Sequence, residues 1–367
     1  MELVNRKESI QSIVFFILIS SAFISIHILP VNPAYILGLI PIFLSMLYIN
    51  FKEVDKFALM LFIYFSLSLS FFYIGIEGFK TVNANPNYQS SFLYLFCIIL
   101  GFSTILIGSN IKKKYRLIVY RCIANFLILF LLVDLVSRFA FGGNSGSFYD
   151  YKFGPFYLDS NFTGNILLCF LMFYYFLYKQ KILNIGFFRF SMLILLLIGT
   201  FSRAAIFSFI LSYFLFNLNQ RYRTIVLSAS AILGVILIYK MISFYLLGGD
   251  FMGVDPSFNS KFALINIAID NYDKLPILNK FFGIGLNNFS YYSNGMFAHN
   301  FFITFFYEFG FFGIFLFSLL LCYFYINLKS DSLYLIFPFL LCSFSLFSAY
   351  MPFFFVIMSC IYLEKKY

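Results

Sequence analysis

The chain has 367 residues, of which 62% are apolar, 23% aromatic and only 11% charged, with a net charge of +10. That supply of polar surface cannot cover a soluble globule, so the composition specifies an integral membrane protein. The basic residues sit in short clusters between apolar runs, the distribution that orients a membrane protein, and no nucleic-acid partner is expected. All six cysteines fall inside apolar runs, with no CxxC pair and no His or Cys at metal-ligand spacing. A disulfide framework, a metal site and a bound cofactor are therefore not expected.

Apolar runs long enough to cross a bilayer, about 17 to 25 residues, begin at 11–29 and continue through 34–50, 57–76, 90–109, 117–141 and 161–178. The first run lacks a small-residue cleavage site and is followed at once by the second, so no cleavable signal peptide is expected. Residues 187–218 are apolar throughout except for "GTFSRAA", which predicts two helices meeting in a tight turn at Thr200 to Arg203. Further runs occupy 224–246 and 300–327, and residues 333–363 divide at "SAYMP", where Pro352 supplies the break. The reading is an all-α polytopic bundle of about 12 transmembrane helices, a single membrane domain over 1–367.

Charge fixes the expected orientation. With the amino terminus inside, the inner loops and helix ends hold 17 basic and 6 acidic residues, about +11, and the outer side holds 8 basic and 9 acidic, about −1. The positive-inside rule then places both termini in the cytoplasm. Two outer segments exceed simple turns: a shorter loop at 142–160, and a large loop at 247–298 between the ninth and tenth helices that could form a small amphipathic subdomain. Long loops on a rigid scaffold are where function concentrates.

A few polar residues stand out against this apolar background. Arg203 opens a helix after Thr200 and Ser202, both possible caps, so a fixed guanidinium, backbone N–H donors and a positive dipole end converge there. His299 and Asn300 open the tenth helix directly after the large loop. Glu308, nine residues on and about 180° around a continuous helix, reads as a packing acid with Lys240 as a partner. Asp134 and Arg138 are spaced i, i+4 and read as a self-paired structural couple. His27 reads as structural. In "GPFYLDSNFTGN", Asp159 and Asn161 stand at the mouth of the sixth helix, where they could cap it or bind sugar hydroxyls. "FFGIGLNNF" lacks the third glycine and the βαβ setting of a dinucleotide site.

The order "GPFYLDSN", "GTFSRAA", "SFNSKFALINIAIDNYDKLPILNKFFGIGLNNF" and "AHNFFITFFYEFGFFGIFLF" resembles the O-antigen polymerase and O-antigen ligase superfamily of bacterial inner-membrane glycosyltransferases. The match covers about residues 150–320. Lys261 stands where that family carries an arginine, and Pro276 lies seven residues before Gly283, a longer spacing than the family's.

The resemblance implies a GT-C-like helical fold in the bacterial inner membrane, with the active site facing the periplasm. It implies undecaprenyl diphosphate-linked oligosaccharides as donor and acceptor, membrane lipids as surroundings and a chain-length regulator as a further partner. An acceptor hydroxyl would attack the anomeric carbon while the lipid diphosphate leaves. Arg203 and Lys261 would stabilise the leaving charge without a metal, and His299 would be the catalytic base. Ser202, Asn300, Asp159 and Asn161 complete the expected substrate-binding set. The leading expectation is a polymerase joining repeat units. The alternatives are a ligase transferring glycan to lipid A-core and, from another class, a lipid-linked oligosaccharide flippase or transporter.

Overall fold

The computed structural model describes residues 2–27, 29, 32–47, 55–141, 154, 156–157, 159–249, 256–298, 300–343 and 350–367. Among these residues there is no strand, and the apolar runs are helical. They form α1 (Glu2–Ser21), α2 (Pro33–Met46), α3 (Lys56–Phe79), α4 (Gln89–Ser109), α5 (Lys113–Phe141), α6 (Ser160–Lys179), α7 (Phe187–Gly199), α8 (Arg203–Asn217) and α9 (Gln220–Leu246). The large loop contributes α10 (Pro256–Tyr272) and α11 (Ile277–Phe282). Then come the single turn α12 (Phe301–Ile303), a π-helical turn over Thr304–Phe309, α13 (Gly310–Leu328), α14 (Leu333–Ser343) and α15 (Pro352–Lys366).

Among the described residues, six helical runs are long and apolar enough to cross a membrane: Lys56–Phe79, Gln89–Gly108, Lys113–Ala140, Ser160–Lys179, Arg221–Leu246 and Phe301–Asp331. Shorter apolar helices lie beside them, among them Pro33–Met46, Phe187–Gly199, Arg203–Asn217 and Leu333–Ser343. The expected break in 187–218 is present: α7 stops at Gly199, and Phe201 reverses the chain with φ +53° before α8 begins at Arg203. Pro352 opens α15, where its missing N–H is one that a helix start leaves unused anyway.

Burial grades the helices from centre to rim. The apolar window of α6 is 89% buried, so it is the hub, whereas the window of α9 has no buried residue and offers apolar side chains all around. The most extensively packed helix pair is α4 with α15. A Cβ at Gly101 would lie 2.9 Å from the Phe355 Cβ, and one at Gly108 would lie 2.3 Å from Leu363. The Ser359 hydroxyl donates to the Gly101 carbonyl at 2.8 Å. Small residues one heptad apart thus let backbones touch, and in an apolar solvent such packing, not water exclusion, joins helices.

The helix ends fall into two groups. At one, here the basic end, Lys112 pairs with Glu8, Arg116 with Glu364, Lys365 with Asp331 and Lys366 with Asp55. Asp55 also caps α3 through the N–H groups of Phe57 and Ala58. The opposite, loop end gathers the turn after α3, the segment before α6, the α7–α8 turn and the large loop. There the His27 N–H donates to the Phe156 carbonyl at 3.2 Å, and Asn87 and Asn288 exchange bonds of 2.6 and 2.9 Å.

The run read as one helix over 300–327 is interrupted. Gly310 has φ +64° and ψ 178°, a conformation essentially restricted to glycine. With the α-helical ladder opened, the Tyr307 and Glu308 carbonyls accept from the N–H groups of Ile284 and Gly285 at 2.9 and 3.1 Å. Gly283, with φ +75°, crosses here so closely that a Cβ on it would lie 2.2 Å from the Glu308 carbonyl oxygen. On its other side Gly75 of α3 would place a Cβ 2.4 Å from the Gly283 oxygen. The large loop is therefore stitched into the bundle by backbone contact. This also corrects the partner of Glu308: its Oε1 accepts from the Phe289 N–H at 3.4 Å, while Lys240 is exposed on α9.

Candidate functional site at the loop end

Three helix starts hold most of the side chains singled out in the sequence. At α6, Asp159 caps the helix by accepting from the Asn161 N–H at 2.8 Å, and both residues are half-buried. Its extended backbone, φ −134°, is that of an N-cap. At α8, Thr200 Oγ1 accepts from the Ser202 N–H at 3.2 Å and donates to the Leu197 carbonyl at 2.7 Å, closing the turn. Ser202 occupies the cap position without using its side chain: its Oγ is buried with no hydrogen-bond partner among the described residues. Arg203, the first residue of α8, is exposed.

The α6 and α8 starts are pressed together. A Cβ at Gly164 would lie 2.7 Å from the Ser202 Cβ and 3.0 Å from its Oγ. Glycine at 164 is what lets the Thr200–Arg203 turn settle against the first turns of α6, so Asp159, Asn161, Ser202 and Arg203 belong to one locality. Behind it, Arg138 pairs with Asp134 at 2.7 Å, as the i, i+4 spacing predicts, and its Nη2 also donates to Thr163 Oγ1 of α6 at 2.8 Å. Both members of the pair are almost fully buried, so this couple braces α6. The second bond, to a helix 25 residues away in sequence, carried no local signal.

Lys261 is half-buried in α10, which leans on α9 through the stacked rings of Tyr245 and Phe262 at 5.7 Å. Asn300 lies farther round, beside the cluster of Phe79, Ile284, Phe289, Ile303 and Tyr307. It is 2% exposed, and its Oδ1 accepts from the Ile303 N–H at 2.8 Å, so its acceptor is spent on capping α12. His299 lies outside the described residues, as do 142–153 and 250–255 in the two outer loops.

Between α10 and the π-turn runs an apolar groove of about 350 Å³, walled by Ile265, Ala268, Tyr272, Phe302, Phe306 and Tyr307. Burial, with the nearby Asp273 carboxylate, pushes the Tyr272 phenol up, and burial pushes the Tyr292 phenol up too. Neither phenol can serve as a base near neutral pH. Among the described residues no group of three His, Cys, Asp or Glu side chains is placed to hold a metal ion.

The α6–α8 locality thus offers an exposed guanidinium at a helix start with hydroxyl and carboxamide groups beside it, and the large loop carries an apolar groove of its own. Chemically the two suit an anionic head joined to a long apolar tail. No family model matches the chain, and no curated protein or solved structure matches it.

Proposed function

We propose that this protein is an inner-membrane polysaccharide polymerase that joins undecaprenyl diphosphate-linked repeat units on the periplasmic face. The observation that carries the reading is the Ser202–Arg203 helix start set against the Asp159–Asn161 helix start, in the motif order that resembles the O-antigen polymerase and ligase superfamily. Arg203 binds the donor diphosphate, helped by the α8 dipole and by the positive charge of Lys261. The isoprenoid tail lies in the apolar groove beside α10. An acceptor hydroxyl attacks the anomeric carbon, the bond from that carbon to the phosphate oxygen breaks, and the lipid diphosphate departs with the electron pair. His299 takes the hydroxyl proton, because imidazole is the side chain whose ordinary pKa lies near neutrality. Asp159, Asn161 and Ser202 orient sugar hydroxyls. The shorter apolar helices complete a GT-C-like bundle of about 12 spans, with both termini cytoplasmic because the basic end faces the positive-inside side.

Deletion of the gene in its host, followed by lipopolysaccharide electrophoresis, tests the assignment. Polymerase loss leaves core carrying a single repeat unit. Bare core with accumulated lipid-linked polymer would make the protein the ligase, and repeat units trapped in the cytoplasm would make it a flippase. An unchanged ladder would overturn all three.

A further inference from the structure

A second built feature lies at the basic end, away from the loop-end locality and independent of the transferase reading. Between α5 and α7 runs an open groove of about 480 Å³. Its apolar walls are Ile128, Leu129 and Leu132 on α5, and Phe187 and Phe188 at the start of α7. Gly186, with φ +87°, turns the chain so that these two rings stand out, 89% and 71% exposed. Phenylalanine rings this exposed on a membrane-crossing bundle offer an apolar surface to lipid acyl chains.

The head of the groove is cationic and has no acid. Arg189 is held in place by two neutral acceptors: its Nε donates to Asn125 Oδ1 at 2.6 Å and its Nη1 to the Ile185 carbonyl at 2.8 Å. Its Nη2 makes no hydrogen bond among the described residues, and no carboxylate pairs with it. One helical turn before Asn125, on the same face of α5, Arg121 is exposed and likewise has no ion pair among the described residues. At the same end Lys112, Arg116, Lys365 and Lys366 pair with acids, whereas the groove's Arg189 is oriented by neutral acceptors alone. An arginine fixed by neutral groups keeps its charge and its outer N–H donors for an anion, and its planar fork matches phosphate oxygens.

We propose that the α5–α7 groove binds one anionic phospholipid from the surrounding bilayer, its phosphate on Arg121 and Arg189 and an acyl chain along Leu129, Leu132 and Phe188. Basic pockets between membrane-crossing helices on the side with excess positive charge recognise such headgroups. Two arginines that merely reached for water, with two phenylalanines anchoring the helix, would not distinguish lipids by charge.

Native mass spectrometry of the detergent-purified full-length protein, supplied with phosphatidylglycerol or phosphatidylcholine of matched chains, decides. The wild type is expected to retain one phosphatidylglycerol and no phosphatidylcholine. The double variant Arg121→Gln/Arg189→Gln should weaken retention by about tenfold or more, as expected when charge-assisted bonds to one phosphate are lost. Leu129→Trp, at a position 60% exposed on α5, fills the groove while leaving both arginines and should also abolish retention. Glycerol phosphate should not displace the lipid, because it lacks the chain. Equal retention of the two lipids, displacement by glycerol phosphate, or retention unchanged in Leu129→Trp overturns the proposal. Should the double variant fail to fold, the headgroup comparison and Leu129→Trp suffice.

Discussion

The two ends of the bundle use polar residues in opposite ways. At the basic end four ion pairs tie separate helices and turns together. Arg116 and Glu364 form a 2.7 Å pair that is 1% and 0% exposed, with Tyr120 donating to the same carboxylate oxygen and the Gly108 and Ile111 carbonyls accepting from Nη1. Asp55 ties α3 to the carboxyl-terminal helix through Lys366, Tyr362 and Tyr367. At the loop end the large loop is docked on the bundle by neutral bonds: Asn279 to the Gly75 carbonyl at 2.7 Å, Leu286 N–H to Ser91 at 3.0 Å, and Asn288 to Asn87. Arg203 stands exposed there at a helix start. Ion pairs thus lock the carboxyl-terminal helix at the basic end, while uncharged bonds dock the large loop at the other.

The largest effect should come from unlocking the basic end. Arg116→Leu leaves Glu364 buried without its partner, and breaking such a pair costs about 3 to 5 kcal/mol. Most of the protein should fail to reach the membrane in folded form, as read by fluorescence-detected size exclusion. Arg203→Ala should do the reverse, leaving folded yield untouched while polymer formation drops by about 10²- to 10³-fold, the usual loss for one preorganised donor to developing charge. Arg203→Lys should recover only part of this, since a lysine cannot bind a phosphate with a planar fork.

An intermediate effect tests how the loop is fastened. Gly283→Ala forces a side chain into a positive-φ crossing with the Glu308 carbonyl 2.2 Å away, and overpacking of this kind costs about 1 to 3 kcal/mol. The loop should loosen, with faster proteolysis between 250 and 300, while the helices stay folded. The smallest effect belongs to Asp55. Burial raises its pKa, but hydrogen bonds from Lys366, Tyr367 and the Phe57 N–H outweigh burial and hold the carboxyl below the ordinary carboxylate value. Its stabilisation is therefore present above that ordinary value and is lost as pH falls through the lowered one. Asp55→Asn should cost about 1 kcal/mol at neutral pH, little because Lys366 is partly exposed. It should also flatten the acid limb of a melting-temperature profile.

The helices and the breaks at Thr200–Arg203 and Pro352 were legible in the sequence because apolar runs of membrane length, a Pro at 352 and a Ser-Arg turn are local signals. The Asp134–Arg138 couple was legible for the same reason. The docking of the large loop was not. It depends on Gly75, Gly283 and Gly310 meeting at one crossing, and on Asn87 and Asn288 meeting across 201 positions of chain. Treating 300–327 as one continuous helix also turned Glu308 toward the wrong neighbour. Glycine at 310 allowed either a close helix contact or a break, and only the backbone angles distinguish them. At the candidate site, Asp159 was legible as a cap and Arg203 as a helix start. The contact of Ser202 with Gly164 was hidden, since glycine writes no contact of its own into a sequence.

The central claim is that the loop end carries out glycosyl transfer with His299 as its base. Purified protein incubated with lipid-linked repeat units, with products resolved by gel and normalised to protein, tests it most directly. The wild type should lengthen the lipid-linked glycan. His299→Gln, which keeps a hydrogen-bonding amide but cannot take a proton near neutral pH, should slow transfer by roughly 10² or more while lipid diphosphate still binds. No lengthening by the wild type, or an active His299→Gln at the wild-type rate, would contradict the account.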